Sequence, residues 1–346
     1  MTIAGVFRSQ ARACESLGSP FTARILNGVA DMMQPGDPVI DRILGWQGDP
    51  TSAGDNVPLR LAGGLHALVL SGQDRTLSAL YPPQPAPNDA RLSDVLRATI
   101  AAHPAHFMHW LNSPPQTNEV GRSAVLIAAG HLLADRFGLP LRVLELGASA
   151  GLNFGWDRIG LKIGQDHFGA RASRLVLTPD WTGDPPPRTP FAVIHRAGVD
   201  LNPLDPNNGD DRLRMMSYIW PDQTQRLERM RLALELAQAF PTPVDQGDAA
   251  GWVEQRLGTV AEGVTTVIYH TIAWQYFPQT TQDTAGQAIR AAGARATPKA
   301  PVAWFSMESD GRTDGAALRL RLWPGDATLD LGRADFHGRW VAWQNR

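Results

Sequence analysis

The sequence predicts an α/β protein: a helical front half, then a mostly parallel sheet that ends in antiparallel strands. Three observations carry that prediction. Residues 1–116 show helical periodicity broken by proline and glycine clusters, with no sustained two-residue alternation. From residue 117 onward strand-like and helix-like segments alternate, which implies parallel strands joined by right-handed crossovers. Near the end, the strand-like runs 317–323 and 340–343 follow one another without a helix between them, as an antiparallel pair does.

With 346 residues, 43% of them hydrophobic, the chain has room for two domains with cores of their own, placed at 1–116 and 117–346. A net charge of -2 and a pI near 6.5 offer no basic field for a nucleic-acid backbone or an anionic membrane. Cys14 is the only cysteine, so no intrachain disulfide can form, and the opening residues lack a signal-peptide pattern. The apolar segment 123–134 is shorter than the ~20 residues a membrane helix needs. A cytoplasmic protein is expected.

In the front half, Ser19-Pro20 reads as an N-cap with proline at the first helical position, opening a helix over 21–33 that Pro35-Gly36 stops. Asp37-Pro38 repeats the start signal, 59–70 is a further apolar helix, and the proline run 81–87 is a stiff connector. His103, His106 and His109 are spaced as helical metal ligands can be, but Pro104 interrupts them and no carboxylate or cysteine completes a set. No metal site is assigned. A helix through Val125, Leu126, Leu132 and Leu133 should end near Gly138. It feeds a strand directly, so its N-terminus, with Asn118, Glu119 and Arg122, lies at that strand's C-terminal edge, where ligands bind in open α/β sheets. Bland roles, a helix cap and a local Glu119–Arg122 pair, compete with a role in a site.

The strand is Val143-Leu144-Glu145-Leu146, followed by Gly147-Ala148-Ser149-Ala150-Gly151. Three readings of this loop compete. The dinucleotide fingerprint G-x-G-x-x-G fails at Ser149 and Leu152. The nucleophile elbow G-x-S-x-G is satisfied, and Ser149, Asp310 and His337 stand in the chain order of a hydrolase triad, but an elbow normally follows several earlier strands. The third form is the Asp/Glu-x-Gly-x-Gly-x-Gly loop of class I methyltransferases, which Glu145, Gly147 and Gly151 resemble with Ser149 in place of the middle glycine. An acid there suits S-adenosylmethionine, which carries a sulfonium and an ammonium and no phosphate. Glycine lets the backbone approach a ligand where a Cβ would intrude.

Downstream segments favour the third reading and a Rossmann-like sheet. Strand-like runs occur at 174–177, 191–194 and 197–201, the last ending in Gly198-Val199-Asp200, which resembles the second-strand acid that binds ribose hydroxyls. A helical stretch with a buried stripe at Leu227, Met230, Leu234 and Ala237 follows. Gln246-Gly247-Asp248 resembles the third-strand acid that reads adenine. Asp200 lies far beyond the usual spacing, so 156–190 is an insertion, a hairpin over the site; Asp166 has the nominal spacing but no apolar strand before it. At the fourth strand, 265–271, neither the usual acid nor an Asp/Asn-Pro-Pro-Tyr sequence occurs. His270 stands there as a general base or a core histidine, with Trp274 and Tyr276 as an aromatic wall.

Taken together, Gln116-Thr117-Asn118-Glu119-Val120-Gly121-Arg122, the segment 145–153, Val199-Asp200-Leu201-Asn202-Pro203, Trp220-Pro221-Asp222-Gln223 and Trp274-Gln275-Tyr276 resemble a bacterial protein family of unknown function, a DUF family. The resemblance spans most of the chain. It implies a shared fold with a helical front half and adds Asp222 to the site candidates. The resulting expectation is an S-adenosylmethionine-binding protein that methylates a small molecule and binds neither nucleic acid nor membrane. Glu145, Gly147, Ser149, Gly151, Asp200 and Asp248 would hold the cofactor, Asn118, Glu119 and Arg122 would cap it, His270 would act as base, and Asp222, Trp274 and Tyr276 would line the substrate pocket. A non-catalytic module that senses the cofactor or a nucleoside is the alternative in a different class, and the serine hydrolase is a third.

Overall fold

The structure is a computed structural model that describes residues 2–259 and 261–344. The chain divides into two compact units, Met1–Thr117 with Asn208–Arg231, and Asn118–Asn207 with Leu232–Arg346. The first unit is helical: α1 (Ile3–Ser16), α2 (Pro20–Asp31), α3 (Pro38–Leu44), α4 (Val57–Leu70), α5 (Arg75–Ser78), α6 (Asp89–Ala102) and α7 (Pro104–Leu111). Helix α8 (Ser123–Phe137) belongs to the second unit, and the chain then returns to the first with α9 (Gly209–Ser217) and the start of α10 (Thr224–Ala239).

Start signals in the sequence act locally as expected. Proline occupies the first turn of α2, α3, α4 and α7, where its missing N–H costs nothing. The returning segment belongs to the helical core for a steric reason: Tyr218 lies edge-on to Trp110 at 5.5 Å, and a Cβ on Gly63 would fall 2.6 Å from its ring. Asp222 does related work at α2. Ser19 makes no side-chain cap there; instead the Asp222 carboxylate accepts from the Phe21 amide at 2.9 Å and from the Ser19 hydroxyl. An acid from 201 residues away thus satisfies the helix N-terminus.

The second unit is α/β. Its strands are β1 (Leu141–Leu146), β2 (Gly160–Ile163), β3 (Asp166–Gly169), β4 (Val176–Leu177), β5 (Asp180–Thr182), β6 (Val193–Asp200), β7 (Asp245–Gln246), β8 (Thr265–Thr271), β9 (Val302–Glu308), β10 (Ala316–Trp323), β11 (Ala327–Ala334) and β12 (Trp340–Trp343), with helices α11 (Ala249–Arg256) and α12 (Gln279–Ala294). The large sheet runs β5-β12-β11-β10-β9-β8-β1-β6-β7. β7, β6, β1, β8 and β9 are parallel, β9 to β12 form an antiparallel meander, and β5 pairs parallel with β12. From β1 the chain first builds outward through β6 and β7, then returns to add β8 and β9 on the other side, so β1 marks the topological switch point.

Three details differ from the sequence reading. The runs 191–194 and 197–201 are one strand, β6, because nothing between them turns the chain. The closing antiparallel pair, β10 and β12, has a further strand, β11, between its members; β11 is half polar and exposed at alternate positions, so it carries no apolar run. Finally, the 156–190 insertion supplies two pieces: a small sheet, β3-β2-β4, whose β3 packs against α8, and β5, which pairs with β12 in the large sheet. His131 in the middle of α8 holds the insertion: its Nδ1 lies 2.7 Å from the Thr189 carbonyl, its Nε2 accepts from the Gly169 amide at 3.3 Å, and its ring meets Phe168 and Phe191 edge-on.

Leu144 and Leu146 of β1 face α11 and α12 in a buried cluster with Ile268 and Ile289. Glu145 points to the opposite face, as strand alternation requires. Helix α8 ends at Gly138 in the left-handed region, as its sequence predicts. Among the described residues no helix is long and apolar enough to cross a membrane.

Ahead of α8, the 3₁₀ turn Val120–Arg122 is pressed against the turn that carries His337 and Gly338. A Cβ on Gly121 would lie 2.3 Å from the His337 carbonyl oxygen, a backbone atom that cannot swing aside. Gly121→Ala is therefore expected to destabilise the protein by about 2 kcal/mol or more. Denaturant unfolding checks it: an unchanged midpoint would mean the two turns separate freely.

Candidate functional site

The loop after β1 is shaped by three residues in the left-handed region, Gly147 at φ 72°, Ser149 at φ 54° and Gly151 at φ 68°. Serine does not favour that conformation, so something must hold it. The holder is Asp200 at the end of β6. Its Oδ2 accepts from the Ser149 amide at 2.8 Å and its Oδ1 from the Asn202 amide at 2.9 Å. The Val199 carbonyl takes both the Gly147 and Ala148 amides at 3.0 Å. The glycines are required by the protein's own packing: a Cβ on Gly147 would come 2.5 Å from that of Ala273, and one on Gly151 would come 2.8 Å from Phe154.

Asn118, Glu119 and Arg122 stand beside this loop, all buried. Asn118 Oδ1 accepts from the Leu152 amide at 2.9 Å, capping the 3₁₀ segment Leu152–Arg158 that follows the loop. Arg122 donates to the Thr271 carbonyl at the end of β8 and to the Phe336 carbonyl, both at 2.9 Å. Glu119 accepts from Gly121, and the Ser123 hydroxyl donates to Asn153 Oδ1 at 2.8 Å. The segment is a clamp that joins the loop, the end of β8 and the 335–339 turn. Satisfied this way, buried polar groups rigidify what they join.

Glu145 lies under the loop, 1% exposed, and Tyr269 across the β1–β8 ladder donates its hydroxyl to Oε2 at 3.1 Å. Burial pushes the Glu145 carboxyl up to about 8; the Tyr269 hydrogen bond opposes the rise and the nearby Asp200 charge adds to it. The group is a neutral acid at pH 7, out of direct reach of a ligand.

At the end of β8 the structure gives His270 a role other than that of a base. Its Nε2 accepts from the Trp304 indole at 3.0 Å, which places the proton on Nδ1, and Nδ1–H donates to Glu308 Oε1 at 2.7 Å. Both nitrogens are used and the side chain is 2% exposed, so no lone pair is presented to a substrate. Glu308, at the end of β9, is the partner that sequence inspection missed. Its Oε1 also accepts from the Ala273 and Trp274 amides at 3.0 and 3.1 Å, and Oε2 is buried with no partner. Burial works to raise the Glu308 carboxyl, but the His270 hydrogen bond and the two amides hold it below the ordinary carboxylate range. Between them Ile272 sits at φ 51°, a strain on the order of 1–3 kcal/mol for a β-branched residue. Trp274 stacks on His270 at 4.7 Å. An acid one strand away from its histidine partner leaves no local sequence signal.

Asp248 caps α11 through the Ala250 amide at 2.9 Å and accepts from Thr281 at 2.9 Å, yet remains exposed. Leu201 and Tyr276 are also open, at 57% and 74%. Leu201, Asn202, Asp248 and Tyr276 are thus exposed at the strand edge, and Asp200 is half-buried. Asp222 is not part of it: that carboxylate belongs to the helical unit, where it caps α2. Asp310 is bound on both oxygens by Arg333 and so is not free to serve as the acid of a triad with His337 and Ser149. His106 is turned to the Gly64 carbonyl at 2.8 Å. Among the described residues no cluster of three or more histidine, cysteine or acidic side chains is placed to hold a metal ion.

A cavity of about 360 Å³ opens on the α8 side of the sheet, between the 3₁₀ segment, the 203–207 loop and the last turns of α10. Of the residues expected to hold a cofactor only Gly151 lines it. The cavity adjoins the strand edge at Ala150, Gly151 and Pro203.

The buried Glu145 has a pH signature. Between its ordinary value of 4.5 and about 8 the folded chain holds a proton that the unfolded chain has lost. Its contribution to stability is complete below the ordinary value and is lost as pH rises toward 8, at up to about 1.4 kcal/mol per pH unit. Glu145→Gln keeps an acceptor for Tyr269 but removes the titration. The stability of wild type relative to the variant, measured by urea unfolding from pH 5 to 9, should therefore fall with pH and level off near 8; parallel curves would show that Glu145 ionises as in water.

No curated protein and no solved structure matches the chain. A family model described as "Uncharacterized protein conserved in bacteria (DUF2332)" matches residues 4–343. With nearly every residue covered, the chain belongs to the DUF2332 family of bacterial proteins.

Proposed function

We propose that the second unit binds S-adenosylmethionine by its nucleoside half across the C-terminal edge of β6, β1 and β7, and that it transfers the methyl group to a small molecule. The observation that carries this reading is the left-handed loop 147–151 at the switch point of the sheet, tied to an acid at the end of the neighbouring strand. Asp200 gives one lone pair of each oxygen to a backbone amide and keeps one on each for ribose hydroxyls. Leu201 offers an exposed apolar surface to a base, and Asp248 an exposed acceptor for its amino group. Glu145 acts beneath the loop as a support and does not reach the ligand.

The bound group would supply an activated methyl. With both nitrogens of His270 engaged, the chain's contribution to transfer would be alignment of the acceptor against the Trp274 and Tyr276 side of the edge, without proton removal by His270. That same engagement favours a second reading, a non-catalytic module that senses the cofactor or a related nucleoside.

Titration calorimetry with S-adenosylmethionine and its demethylated product separates binding from non-binding: micromolar to submillimolar affinity supports the proposal, and no heat at millimolar ligand ends it. Two surface variants test the mode. Asn caps helices as well as Asp does, so Asp248→Asn should preserve thermal stability while weakening the cofactor several-fold. Leu201→Ser, at an exposed position, should do the same. If both leave affinity unchanged, the ligand lies elsewhere. Methyl transfer from labelled cofactor to a metabolite mixture, absent in the presence of sound binding, would select the sensing module.

A further inference from the structure

A full helix after β1 would cover the adjoining face of β6, but here only the seven-residue 3₁₀ segment Leu152–Arg158 follows, and its non-helical Gly155 packs on Leu236 of α10. What remains uncovered is the cavity of about 360 Å³, a size suited to a ligand of one or two rings. Its walls are apolar, chiefly Phe154, Leu236, Phe240 and Val244. Its charges are guanidinium groups: Arg158 and Arg196, with Asp205 on the loop side. Asp205 is turned to its own loop, accepting from the Asn207 amide at 2.8 Å. Arg196 pairs with Asp157 at 2.9 Å. Arg158 differs: among the described residues it has no ion-pair partner, and its guanidinium lies 3.8 Å over the ring of Phe240, which is itself 49% exposed.

An unpaired guanidinium held on a half-exposed aromatic, at the lip of an apolar cavity, is a recognition surface for an anion with a flat apolar body. We propose that this cavity is a second binding site, which takes a small organic acid of the aromatic carboxylate class. Its ring would enter between Phe154, Leu236 and Val244, and its carboxylate would pair with Arg158. Asp200, Asp248 and Glu145 take no part in it; the cavity shares Ala150 and Gly151 with the loop of the proposed cofactor site.

The test uses the full chain and 8-anilinonaphthalene-1-sulfonate as a fluorescent reporter, with 2-naphthoate and its uncharged analogue 2-naphthalenemethanol as competitors. The reporter should saturate at one site per chain, and 2-naphthoate should displace it at least about tenfold more effectively than the alcohol. Arg158→Gln should abolish that preference while leaving the alcohol's own dissociation constant, obtained after allowing for weaker reporter binding, unchanged. Phe240→Ala, at an exposed position, should weaken the acid several-fold, and Ala237→Trp should fill the cavity and remove the site. Circular dichroism checks each variant's fold; if Ala237→Trp does not fold, the two surface variants decide. Equal displacement by acid and alcohol, or titrations that neither Arg158→Gln nor Phe240→Ala alters, would overturn the proposal.

Discussion

The hydrogen bond from the Ser149 amide to Asp200 is the interaction on which the second unit's strand edge depends. A serine in the left-handed region is not stable by local preference, and the carboxylate at the end of the adjacent strand supplies the missing free energy. With Ser149 held, Gly151 can turn the chain so that Leu152 meets Asn118. Asn118 is continuous with Arg122, which reaches the Thr271 carbonyl; one residue later comes the strained Ile272, and the next two amides end on Glu308. Asp200, Asn118, Arg122 and Glu308 each complete the hydrogen bonding of backbone distant from them in the chain. The result is a rigid frame around β1, β6 and β8, not a set of free side chains waiting for a ligand.

Two buried carboxyls in that frame show how environment divides identical chemistry. Glu145 receives a single hydroxyl and a neighbouring negative charge, and burial leaves it protonated at neutral pH. Glu308 receives an imidazole N–H and two backbone amides on one oxygen, and these outweigh burial to keep it ionised. The number and kind of donors decides the outcome, since both groups are largely withdrawn from water. His270 is thereby fixed in one tautomer between an acid and an indole, and serves to set the loop that carries Trp274.

Much of the fold could be read from the chain because its signals are local. Strand 265–271, the end of α8 at Gly138 and the proline-led helix starts depend on residues within a turn or two of one another. The juxtaposition of the 147–151 loop with Asp200 was legible for a different reason: strand alternation and right-handed crossovers leave few places for a second strand to go. Glu308 was not legible, because nothing in 302–308 says that its last residue faces a histidine on the strand beside it. Asp222 was misplaced for the same reason in reverse: its neighbours in sequence suggested a site, and its partners are Ser19 and Phe21.

By itself the sequence determined the class of fold, the order of the central elements, and the group of small residues that turns the chain after β1, since periodicity, proline and glycine act over short distances. Only the tertiary structure decided that Asn118 and Arg122 clamp backbone, that Glu145 is a neutral buried acid, that His270 has no free nitrogen, and that a cavity opens at the far end of the loop, at Ala150 and Gly151. Those properties depend on burial and on partners tens to hundreds of residues away, and neither is a function of neighbouring residues in the chain.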